Sequence, residues 1–195
     1  MKRALISVSD KRNLKKFAAA LSNLGIELIV TDGTAREISR EGGPVTPVTP
    51  VSELTGFAEL LGGGIKTLHP AVHAAIATSS ITIVVVNLIP LTTIESVDIG
   101  GVALLKSAMK NVRNVAAVTD PAQYDDVIRE LIENGDISYE TRLKFAITAA
   151  DYIVDYESKV GSVLREMRGV FRSPGISTQL TISQIFTKIS ANRMQ

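Results

Sequence analysis

The first thirty residues restrict the fold more than any other stretch. Ala4-Leu5-Ile6-Ser7-Val8 is a short apolar strand ended by Ser9-Asp10-Lys11. From Asn13 the period changes: Leu14, Phe17, Ala18 and Leu21 recur at i, i+3, i+4 and i+7, the spacing of one helix face, with Lys15 and Lys16 outside it. Ser9 or Asp10 is expected to cap that helix. Gly25 closes it, and Ile26-Glu27-Leu28-Ile29-Val30 forms the next strand. A right-handed crossover between parallel strands leaves both strand ends, Ser9 and Thr31, on one edge of the sheet. Open α/β sheets bind their ligands along that edge.

The remaining pattern continues the alternation. After Thr31-Asp32-Gly33-Thr34 a helix is predicted from Ala35 to Glu41, stopped by Gly42-Gly43-Pro44. Thr46 to Val51 is extended, because each proline disfavours helix at the residue before it. A short helix from Phe57 to Leu61 leads into Gly62-Gly63-Gly64-Ile65-Lys66-Thr67-Leu68-His69, a flexible loop followed by polar side chains, and Pro70 then stands at a helix start. Ile81 to Val86 is a β-branched run expected to be a strand buried on both faces, ending at Asn87. A helix from Val102 to Asn111 turns Leu104, Leu105 and Ala108 inward, and Val115 to Val118 is another strand. Pro121 opens a helix with Tyr124, Val127, Ile128 and Leu131 inside, stopped by Asn134-Gly135. From Ser138 to about Arg168 the pattern is helical, Phe171 to Gly175 is a turn, and Thr178 to Ile189 fits either strand or helix. The sum is an α/β fold of three layers, α/β/α, with a mostly parallel sheet and C-terminal helices. A single domain over 1–195 is expected, with no assigned element in the tail 170–195.

Composition removes several function classes. The net charge of +1 provides no field to recruit nucleic acid or a membrane surface. The absence of cysteine excludes a disulfide framework, a thiol nucleophile and thiolate metal sites. His69 and His73 have the spacing of a helical zinc pair, but Pro70 stands where a hydrolytic motif carries glutamate, so no metal is expected. Met1-Lys2-Arg3 leads into a short β-like run and not a signal peptide, and no apolar run is long enough to span a bilayer. A cytoplasmic protein is the expectation.

Three groupings could carry chemistry. Ser9, Lys11, Thr31, Gly33 and Thr34 lie at two strand ends followed by helix starts, where unpaired N–H groups favour a phosphate. The same residues would also serve as plain caps and turn residues. Lys106, Lys110 and Arg113 line one helix face, like charges that repel unless an anion lies near, although Lys110 could simply complement the helix dipole. Asp98 before Gly100 and Gly101 is a good N-cap, and the glycines could let N–H groups face a reacting oxygen.

In this order the strings Arg3 to Lys11, Gly33-Thr34-Ala35, Thr55-Gly56-Phe57, Lys66-Thr67-Leu68-His69-Pro70, Val72-His73, Val84 to Leu88, Asp98-Ile99-Gly100-Gly101 and Lys110-Asn111 resemble the IMP cyclohydrolase part of the bifunctional purine biosynthesis family, whose other half is the AICAR formyltransferase. The resemblance runs to about Tyr156. It implies a methylglyoxal synthase-like fold and a reaction in which the formylated nucleotide FAICAR closes its second ring and loses water to give inosine monophosphate. It implies Lys66, Asp98 and Lys110 as catalytic residues: Lys110 at the formyl oxygen, Asp98 and Lys66 at the carboxamide and its proton. Thr67 and Asn87 would position the base, the strand-end loops would hold the ribose phosphate, and Gly100 and Gly101 would line the site. No cofactor is implied. The expected partner is the nucleotide itself, with a separate formyltransferase chain and further copies of this chain as candidates. The sequence departs from the family pattern at Asp32, Ala74 and Ala75, where glycine is usual, at Gly64 (arginine), Ile89 (tyrosine) and Leu91 (phenylalanine). A segment between Ala77 and Ile81 is also missing. These departures would suit a non-catalytic module of the same fold that binds a phosphorylated metabolite; the fold is also used in the regulatory region of carbamoyl phosphate synthetase. The catalytic aspartate motif of methylglyoxal synthase has no match.

Overall fold

The computed structural model describes residues 2–39, 48–51 and 66–172. Gly42-Gly43-Pro44, Thr55-Gly56-Phe57, the Phe57–Leu61 helix, the glycines 62–64, Ser173-Pro174-Gly175 and the tail segment 178–189 lie outside them. In chain order the elements are β1 (Arg3–Val8), α1 (Leu14–Asn23), β2 (Glu27–Val30), α2 (Asp32–Ser39), β3 (Val48–Pro50), α3 (Pro70–Ala77), β4 (Ile83–Asn87), α4 (Ile99–Lys110), β5 (Ala116–Val118), α5 (Tyr124–Asn134) and α6 (Tyr139–Arg172). Short 3₁₀ turns cover Lys66–Leu68, Ile94–Ser96 and Pro121–Gln123. The described residues fall into two compact units, one drawn from Met1–Ile89 and Asp98–Ile153, the other from Pro90–Val97 and Val154–Gln195. In the second, a Thr93–Ser96 capping box closes a 3₁₀ turn, and Lys159 pairs with Asp155 one helical turn away.

The first unit contains the sheet, ordered β3-β2-β1-β4-β5 with all its pairings parallel. Alternation along the strands divides the core. Ala4, Ile6, Val8, Leu28, Val30, Ile83, Val85, Ala116 and Val118 share one cluster with Leu14, Phe17, Ala18 and Leu21 of α1, Tyr124, Val127 and Leu131 of α5, and Phe145 of α6. On the other face α4 packs on β4, β5 and α3. Every residue of β4 is buried, as a strand covered on both faces requires. The three-layer α/β/α arrangement is therefore present, and each strand ends on the same edge as its neighbours.

Several boundaries differ from the sequence reading. α1 is not capped by Ser9 or Asp10; its N-cap is Asn13, in the left-handed region at φ 58°, with no side-chain cap bond. Asp10 lies too early in the turn and accepts instead from Arg12 N and Arg12 Nε, at 2.9 and 2.8 Å. Those bonds hold its carboxyl below the usual range. α2 begins at Asp32 and not Ala35, because Thr31 O accepts from both Thr34 N and Ala35 N, at 2.9 and 2.8 Å, so Gly33 lies within the first turn. α4 likewise begins at Ile99, three residues before the predicted start, and α6 runs on through Phe171 and Arg172. Gly25 and Gly135 do end their helices at positive φ, 74° and 68°.

Tyr124 stacks on Phe17 with ring centroids 4.0 Å apart and joins α5 to α1. Its buried hydroxyl has no hydrogen-bond partner among the described residues. Burial, then the carboxylates of Asp10 and Asp120, push the phenol up to about 12. A raised native value means that its share of stability is intact below pH 10 and is lost as pH rises through 12. A shift of that size corresponds to on the order of 3 kcal/mol. Urea unfolding of wild type and Tyr124→Phe from pH 9 to 12.5 is expected to show the variant losing less stability over this range, and near-equal stabilities at pH 9.

Candidate functional site

β1 and β4 are neighbours whose onward connections lead to opposite sides of the sheet, which makes the gap beyond their carboxyl ends a topological switch point. Asn87, the last residue of β4, holds this gap. Its Oδ1 accepts from Ser9 N at 2.6 Å and Asp10 N at 2.7 Å, and Ser9 Oγ donates to Leu88 O at 2.8 Å. The Asn87 side chain thus fixes the loop after β1, a structural task the sequence reading did not give it.

Beside that loop, Lys11 Nζ donates to Val8 O and to Thr34 Oγ1, the latter at 3.2 Å. Burial holds the Lys11 ammonium below its ordinary value, and the carboxylate of Glu37 opposes the shift. Thr34 Oγ1 also accepts from Val8 N at 3.4 Å and lies 3.0 Å from Thr31 Oγ1. Thr34 is 0% exposed, so its expected grip on a phosphate is corrected: the hydroxyl is enclosed and ties α2 to β1. Ser9, Lys11, Thr31 and Gly33 remain at the edge with partial or full exposure.

Lys66 opens the 3₁₀ turn before α3, and its Nζ donates to Asp32 Oδ2 in the first turn of α2. Thr67 is buried next to it, and this turn packs against α4. Asp98 caps α4: Oδ1 accepts from Gly101 N at 2.7 Å and Oδ2 from Ile89 N at 3.1 Å, joining the helix start to the chain leaving β4. The Gly101 N–H is therefore committed to the cap and does not face a reacting oxygen, which corrects that expectation for Gly101. Gly101 is required for packing instead: a Cβ there would lie 2.6 Å from Asp98 Oδ2 and 2.7 Å from Leu88 Cδ2. Gly101→Ala is expected to cost about 1–3 kcal/mol through overpacking, measured as a lower urea midpoint at unchanged m-value.

The basic helix face divides from the rest. α4 starts beside the end of β4, and its twelve residues carry the chain about 18 Å toward the opposite edge. There Asn111 Nδ2 donates to Ile76 O at 2.9 Å, and Ala116 N to Thr82 O at 2.9 Å, just before β4 begins. Lys110 is exposed at that far edge. Among the described residues the expected convergence of Lys66 and Lys110 on one pocket is not found, because Asp98 and Lys110 stand at opposite ends of α4. The histidines are engaged locally: His69 Nδ1 accepts from Ala71 N at 3.2 Å as the α3 cap, and His73 Nδ1 lies 2.7 Å from Ser107 Oγ. Sequence reasoning also missed Tyr152 of α6, whose hydroxyl accepts from Leu88 N at 2.9 Å at the rim of the edge. Only the helical period of α6 marked that region, and it does not identify a partner sixty-four residues away.

Known proteins of two kinds resemble this chain. The family model for the MGS-like domain matches residues 13–116, and that for the AICARFT/IMPCHase bienzyme matches residues 108–192. The bifunctional purine biosynthesis protein PurH of Ruminiclostridium cellulolyticum is 37% identical over 197 aligned positions, covering 87% of the chain and 38% of that protein. The same protein of Persephonella marina is 38% identical with the same coverage, so the chain spans about 38% of the length of these relatives. A solved structure described as "Crystal structure of ForH" superposes with a TM-score of 0.74 at 32% identity, covering 84% of the chain and 98% of ForH.

Proposed function

Because the chain belongs to the MGS-like domain family and is similar to the bifunctional purine biosynthesis protein PurH, we propose that it is an IMP cyclohydrolase that converts FAICAR to inosine monophosphate. In this reading the carboxamide nitrogen attacks the formyl carbon and gives up one proton, while the formyl oxygen becomes an alkoxide and is protonated. The formamide nitrogen then loses its proton as the C–O bond breaks, and water leaves. An amide is a poor nucleophile, so holding it against the formyl group supplies much of the acceleration.

The observation that carries the proposal is the gathering of Ser9, Lys11, Asp32, Lys66, Asn87 and Asp98, from separate segments, at the strand carboxyl ends. Lys66 takes the place facing the formyl oxygen, where an ammonium offsets the alkoxide charge. This is the role the resemblance assigned to Lys110, which lies at the other edge. Asp98, held at the start of α4 by the N–H groups of Gly101 and Ile89, orients the carboxamide. Lys11, Ser9, Thr31 and Gly33 line the end for the ribose phosphate, beside Thr67 and Gly100, and no cofactor takes part. The formylated substrate comes from an AICAR formyltransferase.

A second reading, a module that binds the phosphorylated nucleotide without converting it, is favoured by one observation: only one of the two expected lysines stands at this edge. Incubation with FAICAR distinguishes them. Formation of inosine monophosphate supports the enzyme, and tight binding of the nucleotide without product supports the module. Among the described residues no helix is long and apolar enough to cross a membrane, so either assay uses the chain in aqueous buffer.

A further inference from the structure

Among the described residues Lys66 is the only charged one that is buried, at 4% exposure. An ammonium in that position is costly unless a counter-charge accompanies it. Asp32 provides one across thirty-four residues of chain. Its own position is stable for a carboxylate, because the first turn of α2 presents the positive end of the helix dipole. Thr31, which caps that turn, bonds back to β1 through Thr31 N to Ile6 O at 3.2 Å, so the carboxylate is referenced to the central strand. Lysine has a flexible four-carbon stem that does not by itself hold its nitrogen in one place.

We propose that Asp32 is a positioning residue that acts through Lys66, directing its ammonium at the carboxyl edge and balancing its charge there. The inference rests on Lys66 facing the formyl oxygen, as argued above. It explains the carboxylate beside the proposed phosphate end: its partner is the buried lysine, and the anionic ligand is left to Lys11 and the strand-end loops. A nitrogen misplaced by about 1 Å is enough to lower a rate a hundredfold.

The test uses the full chain with Asp32→Asn, Asp32→Glu, Lys66→Ala and the double variant Asp32→Asn/Lys66→Ala, reading kcat and KM for FAICAR and, by calorimetry, Kd for inosine monophosphate. Asp32→Asn is expected to lower kcat about tenfold or more, as loss of an orienting partner does elsewhere, while KM stays within about threefold. Asp32→Glu keeps the charge and is expected to recover part of that loss. The double variant is expected to be no slower than Lys66→Ala, because both changes remove one unit. Unchanged kcat in Asp32→Asn, or a double variant showing the product of the two single losses, overturns the proposal. Should Asp32→Asn fail to fold, the double variant removes both charges together, and its comparison with Lys66→Ala decides alone. If the wild type binds inosine monophosphate but forms none from FAICAR, the enzymatic reading falls while Asp32 is judged on Kd. Equal weakening by each single change and no further loss in the double supports it, and multiplied losses overturn it. No binding by the wild type overturns both.

Discussion

Replacing Lys66 by alanine is expected to slow ring closure about 10²–10³-fold, the loss typical when one preorganised donor is removed from a developing oxyanion. That factor corresponds to about 3–4 kcal/mol of the barrier. The charge on the formyl oxygen is absent in the bound substrate and appears on attack, so the loss should fall on kcat and leave KM nearly unchanged. The fold should tolerate the change: the Asp32 side chain is 26% exposed, and water can take over part of what the ammonium provided. Lys110→Ala in the same assay is expected to stay within about threefold of wild type, because α4 places that residue at the other edge of the sheet. Stopped-flow formation of inosine monophosphate reads both variants. A silent Lys110→Ala beside a disabled Lys66→Ala fits this assignment, and the reverse result sinks it.

Phe145→Ala should produce the largest loss of stability, about 3–5 kcal/mol, the range for truncating a buried phenylalanine. Phe145 is 1% exposed and belongs to the cluster that α1, α5 and one face of the sheet share. A domain has only about 5–15 kcal/mol in total, so this single change would consume a large part of it. A urea midpoint well below wild type at unchanged m-value is the expected result. A shift under about 1 kcal/mol would show that α6 packs on this face less tightly than its burial indicates.

Periodicity carried most of the architecture. The four-position stripe of α1, the β-branched run of β4 and the glycines at 25 and 135 are local signals, and each corresponds to an element or an end in the structure. Helix starts were less legible. Asp32-Gly33-Thr34 reads as turn residues before a helix at Ala35, yet α2 already contains them; Asp98 reads as a good N-cap and is one, although the helix was expected only from Val102. The site was legible in its members but not in their partners. Lys66 and Asp32 were each noticed, one as a candidate catalyst and the other as an awkward charge, and only the folded chain puts them in contact. Asn87 was visible as a polar residue at a strand end, but its use on two backbone N–H groups depends on the parallel register of β1 and β4. Lys110 was misplaced because sequence strings carry order and not the direction in which a helix runs.

Tyr152 gives the long C-terminal helix a hand in the chemistry's surroundings. Its phenol receives the amide of Leu88, one residue past the strand that closes the switch point. A minimal version cut where the MGS-like match ends, at residue 116, would keep Ser9, Lys11, Asp32, Lys66, Asn87 and Asp98 and discard the post to which that rim is moored. Trimming toward an apparently sufficient core would thus loosen the ligand's doorway from behind, so the segment up to at least Ile153 belongs to the smallest piece worth expressing.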